Sequence, residues 1–199
     1  MKSQKLNKDD IRKLTIIGVL TSLATVLSFI KIPIIGTASI TLVMPVVVIG
    51  AALYGPYVGA WLTIIPNILA FSEAGIFLTY APVECVATLS LKGVFAGLAA
   101  GFAYKLLSAR HPIGAVAVSA VIAPTVNSLT FLLGCYLFIW EELVALAGES
   151  GVGVGMLILG LVVINYIVEL ILNIILCPSI LRIIRVIQKK NTNNSGTHS

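Results

Sequence analysis

The chain has 199 residues, of which 58% are hydrophobic and only 11% charged, with a net charge of +5 and a mean hydropathy of +1.05. Soluble domains carry about 25% charged residues, so this composition excludes an ordinary soluble domain and indicates a single-domain integral membrane protein. The basic residues flank apolar runs instead of forming a patch, which excludes nucleic acid as the partner behind the positive charge.

The first predicted span covers residues 14–30, preceded by Lys2, Lys5, Lys8, Arg12 and Lys13. It is longer than the roughly 7–15 residues of a signal-peptide core, so it reads as an uncleaved helix. Gly18 and Ser22 place small residues four apart on it. A Pro/Gly loop, KIPIIGTAS, leads to a short second helix over 40–53. YGP then makes a tight turn into a third helix over 57–71, which carries Asn67. The loop SEAGIFLTYAP holds Glu73 and Tyr80. Next comes a fourth helix over 83–107, with Glu84, Thr88 and Lys92 on one face and Gly93, Gly97 and Gly101 on another. After the turn SARHP, a fifth helix over 113–139 contains APTVNSLT. Pro124 there frees the carbonyl of Ala120, and Asn127 follows. WEELVALAGESGVG reads as an acidic, glycine-rich loop before a sixth helix over 154–187. The polar tail 191–199 is expected to be disordered, leaving one domain over 1–190. Cys85, Cys135 and Cys177 form no CxxC and read as free, buried thiols.

Six spans return the chain to its starting side. The two termini and the even-numbered turns then hold every basic residue except Lys31 and Lys92, while the opposite loops hold Glu73, Glu84, Glu141, Glu142 and Glu149. The positive-inside rule places both termini in the cytoplasm. The expected fold is an all-α bundle of six transmembrane helices.

Ionisable residues at membrane depth are costly and face a cavity, a partner or a transport path. Lys92 precedes Lys105 by as many residues as Glu169 precedes Arg182. Both therefore sit ~20 Å from the inner boundary at helical rise. An ion pair requires the fourth and sixth helices to be neighbours. Asn165, Glu169 and Asn173 form one polar stripe at i, i+4 and i+8. The candidate binding residues are Asn67, Tyr80, Glu84, Lys92, Asn127, Asn165 and Glu169. The glycine stripe suits close packing of helices. No HExxH or Walker loop is present, and His111 and His198 lie outside the spans, so neither an intramembrane hydrolase nor a resident ATPase is expected.

The segments PVVVIGAALYGPYVGAW (45–61), LKGVFAGLAAG (91–101), APTVN (123–127) and NYIVELILN (165–173) resemble, in order, the substrate-binding S components of energy-coupling factor (ECF) transporters. That resemblance implies a six-helix protein that binds a vitamin or related micronutrient from outside. It implies a pocket between helices four to six, capped by the loops after helices one, three and five. It also implies a transmembrane coupling subunit and two partner ATPases, with no cofactor on this chain, no enzyme activity and import by toppling in the membrane. Such proteins meet the coupling subunit through helices one to three by an AxxxA motif, whose place is taken here by Gly18 and Ser22. Pocket residues differ between vitamins, so the resemblance carries no substrate. Two other readings compete: a stand-alone proton-coupled carrier using Lys92 and Glu169, and a scaffold whose small-residue faces only bind partners.

Overall fold

The computed structural model describes residues 8–30, 32–35, 38–40, 42–70, 82–151 and 153–195. Its elements are α1 (Lys8–Phe29), β1 (Ile32–Ile35), β2 (Ala38–Ile40), α2 (Val43–Tyr54), α3 (Pro56–Ala70), α4 (Pro82–Ser108), α5 (Pro112–Phe138), α6 (Trp140–Ser150), α7 (Val154–Ile158) and α8 (Ile164–Ser195), with a π-helical turn at Leu159–Val163 between the last two. Among the described residues, four helices are long and apolar enough to cross a membrane: Asp10–Phe29, Pro82–Ser108, Pro112–Phe138 and Ile164–Ile187. The second and third predicted spans are shorter apolar helices, Val43–Tyr54 and Pro56–Leu69.

The distribution of side chains is that of a protein solvated by lipid. Phe95, Phe102, Leu129, Leu133, Ile171, Ile175 and Val186 face outward, whereas Thr88, Ser119, Asn127, Glu169 and Asn173 are buried. Lipid offers no hydrogen bonds, so polar groups turn inward and apolar ones remain on the surface. Exposed aromatics mark the two ends: Tyr57 and Trp61 near one, Tyr136 and Trp140 near the other, the latter pair edge-to-face at 5.6 Å.

α2 stands in the centre. Every residue from Val43 to Ala52 is buried, and the helix packs against α1, α3, α4, α5 and α8. A helix apolar on all sides has no solvent face to present. Its end is set by Gly55, whose φ of 97° is strained for any residue with a side chain and whose N–H bonds the Ala51 carbonyl at 2.9 Å. Pro56 then opens α3 at a position where its missing N–H costs nothing. At 12 residues α2 is only ~18 Å long, well short of the ~30 Å hydrocarbon core.

α3 and α4 cross with their backbones in contact. A Cβ on Gly59 would lie 2.7 Å from the Gly97 carbonyl oxygen, and one on Gly97 would collide with the backbone of Gly59 and Ala60. Gly101 meets Pro56 and Gly93 meets the side chain of Asn67. The predicted glycine stripe is thus the α3-facing surface of α4. Ser119 of α5 donates to the Ala100 carbonyl at 3.0 Å. Within membranes such interhelical bonds contribute about 0.6 kcal/mol on average.

The charges segregate as the sequence predicts. Lys13 Nζ lies 5.9 Å from the centre of the Tyr54 ring, at the same end of α2 as the Gly55 turn. Ile180 and Ile184 of α8 share a cluster there with Tyr104, Ala115 and Val116, which brings Arg182 and Arg185 to the end that holds Lys105 and Arg110. Glu84 and α6 lie at the opposite, acidic end.

Several expectations need correction. The connection after α1 contains two short extended segments, β1 and β2, paired antiparallel. The segment expected as an acidic loop is a helix, α6. Its Ile139, Leu143 and Ala147 form a buried i, i+4, i+8 stripe, and Gly151 closes it in the left-handed conformation. The sixth helix runs unbroken from Val154 but carries a π-helical turn at Leu159–Val163. It also runs to Ser195, into the tail expected to be disordered; residues 196–199 lie outside the described residues.

The backbone contact generates a measurable expectation. Gly97→Ala will destabilise the fold by about 1–3 kcal/mol, the usual cost of overpacking. Gly155→Ala, where nothing lies within 4 Å of the new methyl group, will be neutral. Thermal unfolding of both variants in detergent checks this.

Candidate functional site

The inward stripe of each long helix changes character along its length. On α8 it runs Asn165, Glu169, Asn173 and then Ile180, Ile184. On α4 it runs Thr88 and Lys92 and then Ala96, Ala100 and Tyr104; on α5 the apolar residues Ala115, Val116, Ala120 and Ala123 give way to Asn127. The apolar halves surround α2 at the basic end. The polar halves lie toward the acidic end, where the short central helix has stopped.

Three helices bring the polar residues together. Thr88 of α4 packs against Gly134 of α5, where a Cβ would come within 2.7 Å of the Thr88 hydroxyl oxygen. One turn further along α4, Lys92 places its ammonium 4.8 Å from the centre of the Phe131 ring, a cation–π contact worth ~0.5–2 kcal/mol depending on desolvation. Asn127 is one turn from Phe131 on α5. Thr125 donates to the Val121 carbonyl at 2.7 Å, so its single hydroxyl proton is committed. The Tyr166 hydroxyl, 3.1 Å away, is therefore the donor in the Thr125–Tyr166 bond that ties α5 to α8. Tyr166 stands between Asn165 and Glu169.

α4 and α8 are not close neighbours: α5 packs against both, and α4 and α8 make little contact with each other among the described residues. The simple condition for an ion pair is thus not met by helix packing. Lys92 reaches the Phe131 ring of α5, and Glu169 is buried on α8, which α5 also packs against. Glu169 is 5% exposed and Asn173 1% exposed. Asn173 donates to the Glu169 backbone carbonyl at 2.9 Å.

Five side-chain oxygens in this region are buried without a hydrogen-bonding partner: Thr88 Oγ1, Asn127 Oδ1, Asn165 Oδ1, Glu169 Oε2 and Asn173 Oδ1. Each such group costs about 1–3 kcal/mol when left unmade. All five lie on the polar halves of α4, α5 and α8.

The other predicted residues fall elsewhere. Asn67 is turned toward α4, donating to the Ser90 carbonyl at 3.4 Å and filling the space beside Gly93, so it joins two helices. Glu84 is half-buried in the first turn of α4. Tyr80 and Glu73 lie outside the described residues. Gly18 and Ser22 are on the outer surface of α1. Phe131 and Thr125 were not anticipated, since neither an aromatic nor a threonine in an apolar helix carries a distinguishing signal. The π turn immediately before Asn165 was also missed; such turns recur at functional sites.

A family model described as "ECF transporter, substrate-specific component" matches residues 12–181. No curated protein gives a significant match.

The Lys92–Glu169 interaction is accessible to a double-mutant cycle. Lys92→Met alone will cost about 3–5 kcal/mol by leaving the buried carboxylate without its counter-charge, and adding Glu169→Leu will recover much of that loss. Unfolding free energies of the four proteins measure the coupling. Additive losses would mean that the two charges act independently.

Proposed function

The chain belongs to the substrate-specific components of ECF transporters, and from that premise we propose that it is the membrane-embedded binding subunit of an ECF-type ABC importer. It captures a vitamin or related micronutrient outside a prokaryotic cell membrane. It delivers that solute together with a transmembrane coupling subunit and two ATPases. The chain itself is not an enzyme and binds no cofactor; ATP is hydrolysed by the partners.

The observation that carries this reading is the set of unpartnered buried oxygens on α4, α5 and α8. A membrane interior has no water to satisfy them, and a polar solute entering between the helices supplies the missing bonds. The charge segregation supports the orientation: the basic end, with both termini, faces the cytoplasm, and the polar half opens outward. In this arrangement α2 and α3 serve as the second and third of six passes. β2 lies against the π turn and α8, and α6 closes over Phe131 and Leu157, positions from which the connecting segments cover the polar half.

The docking face for the coupling subunit is proposed on α1. Nothing lies within 4 Å of where a Gly18 side chain would begin, and Ser22 turns its hydroxyl back onto the Gly18 carbonyl at 3.0 Å. The small pair is therefore uncovered within the chain, flanked by exposed Leu14, Val19, Leu23 and Val26. Such surfaces allow close approach of a second helix bundle.

A proton-coupled carrier is the second reading, and the buried Glu169 carboxylate is what favours it. Uptake in membranes distinguishes the two. Dependence on co-expressed ATPases supports the importer, while uptake by this chain alone that tracks a proton gradient supports the carrier. A scaffold would bind no small molecule.

Screening the detergent-purified chain against a vitamin panel tests the binding role directly. At 100-fold excess over the dissociation constant, a true ligand will stabilise by about 2.7 kcal/mol, or roughly 5–10 °C for a chain of this size. Gly18→Leu with Ser22→Leu will leave that shift unchanged and abolish co-purification of the coupling subunit.

A further inference from the structure

Resting on the binding-subunit reading, the unpartnered atoms also describe the chemistry of the solute. We infer that the ligand is an uncharged compound presenting N–H donors, such as a carboxamide or an amino-substituted heterocycle, and that it lacks a free carboxylate. Asn127 Oδ1, Asn165 Oδ1, Asn173 Oδ1 and Glu169 Oε2 are all hydrogen-bond acceptors, and Thr88 Oγ1 accepts as readily as it donates. A ligand carboxylate would set acceptor against acceptor and relieve none of the four.

Charge leads to the same conclusion. Among the described residues, the polar half holds the buried carboxyl of Glu169, the half-buried carboxyl of Glu84 and one ammonium, Lys92. Carboxyl groups here outnumber the ammonium. A ligand carboxylate would add negative charge in a medium where such charges are costly. Lys92 lies over the Phe131 ring, so its ammonium already has a partner before any ligand enters. An uncharged donor edge adds bonds to Asn127, Asn165 and Glu169 without adding charge.

The residues reach the ligand from two sides. Asn165 and Glu169 lie one turn apart on α8, and Asn127 lies on α5, which the Thr125–Tyr166 bond holds against this part of α8. Asn173, one turn further along α8, donates to the Glu169 backbone carbonyl.

The test uses the full chain in detergent with matched compounds that differ at the group in question: nicotinamide and nicotinate, pyridoxine and 4-pyridoxate, pantothenol and pantothenate, with adenine and cytosine as further donor-bearing probes and biotin as a further carboxylate. Thermal shift identifies binders and isothermal titration gives affinities. The expected result is binding confined to compounds without a carboxylate. Glu169→Gln, which keeps the shape and loses the charged acceptor, will weaken that binding about tenfold or more. Asn165→Asp, which keeps an acceptor, will bind the same compound better than Asn165→Leu does. Correct folding is checked by gel filtration and by the unliganded melting temperature. If a Glu169 variant does not fold, the Asn165 pair carries the test. Preferential binding of the carboxylated compounds overturns the inference while leaving the binding-subunit reading intact. Binding by neither group, in this set or in the wider vitamin panel, removes both.

Discussion

The structure depends on the half-height of its central helix. α2 is buried along its length and touches five other helices, yet its 12 residues are shorter than the hydrocarbon core. Below its first residue the interior is filled by Val, Ile, Ala and Leu. Beyond it β2 lies against the π turn and α8, and the inward faces of the long helices become polar. The first residue of α2 therefore divides an apolar half from a polar half within one bundle.

The α3–α4 crossing holds this arrangement in place. Association of helices in lipid draws on close packing and not on exclusion of water from apolar surface. Backbone contact at Gly59 and Gly97, extended by Gly101 on Pro56 and Gly93 on Asn67, fixes the angle at which α4 leaves the packed half. The direction in which Thr88 and Lys92 face is set by that angle. A contact near the basic end thus helps to aim residues more than a turn away.

Much of this was legible from the residues. Charge asymmetry identified the two ends, the four-residue spacing of glycines identified a packing face, and the i, i+4, i+8 spacing of Asn165, Glu169 and Asn173 identified an inward polar stripe. Helix adjacency was not legible: the residues put Lys92 and Glu169 at one depth and left open whether their helices are neighbours, and α5 packs against both. Composition misled at α6, where Glu141, Glu142 and the glycines Gly148, Gly151 and Gly153 outweighed a buried stripe that was present at helical spacing. Asn67 read as a pocket residue because an amide in an apolar run has the same appearance whether it meets a ligand or a neighbouring carbonyl. Gly18 and Ser22 differ in kind, since their surroundings end at the surface of the chain. The family match supplies the context in which an uncovered small-residue face has meaning.

The π turn at Leu159–Val163 has a further consequence. A π turn accommodates one extra residue without breaking the helix, and each residue added to or removed from a helix rotates its upstream part by about 100° relative to its downstream part. Asn165, Glu169, Ile180 and Ile184 lie on the C-terminal side of this joint, so their register against α2 and α5 is insulated from changes in α6 and α7. A chain built this way can gain or lose a single residue near its outer rim and re-aim the rim alone. Selectivity at the entrance can then diverge among descendants while the buried stripe and the packed half stay as they are.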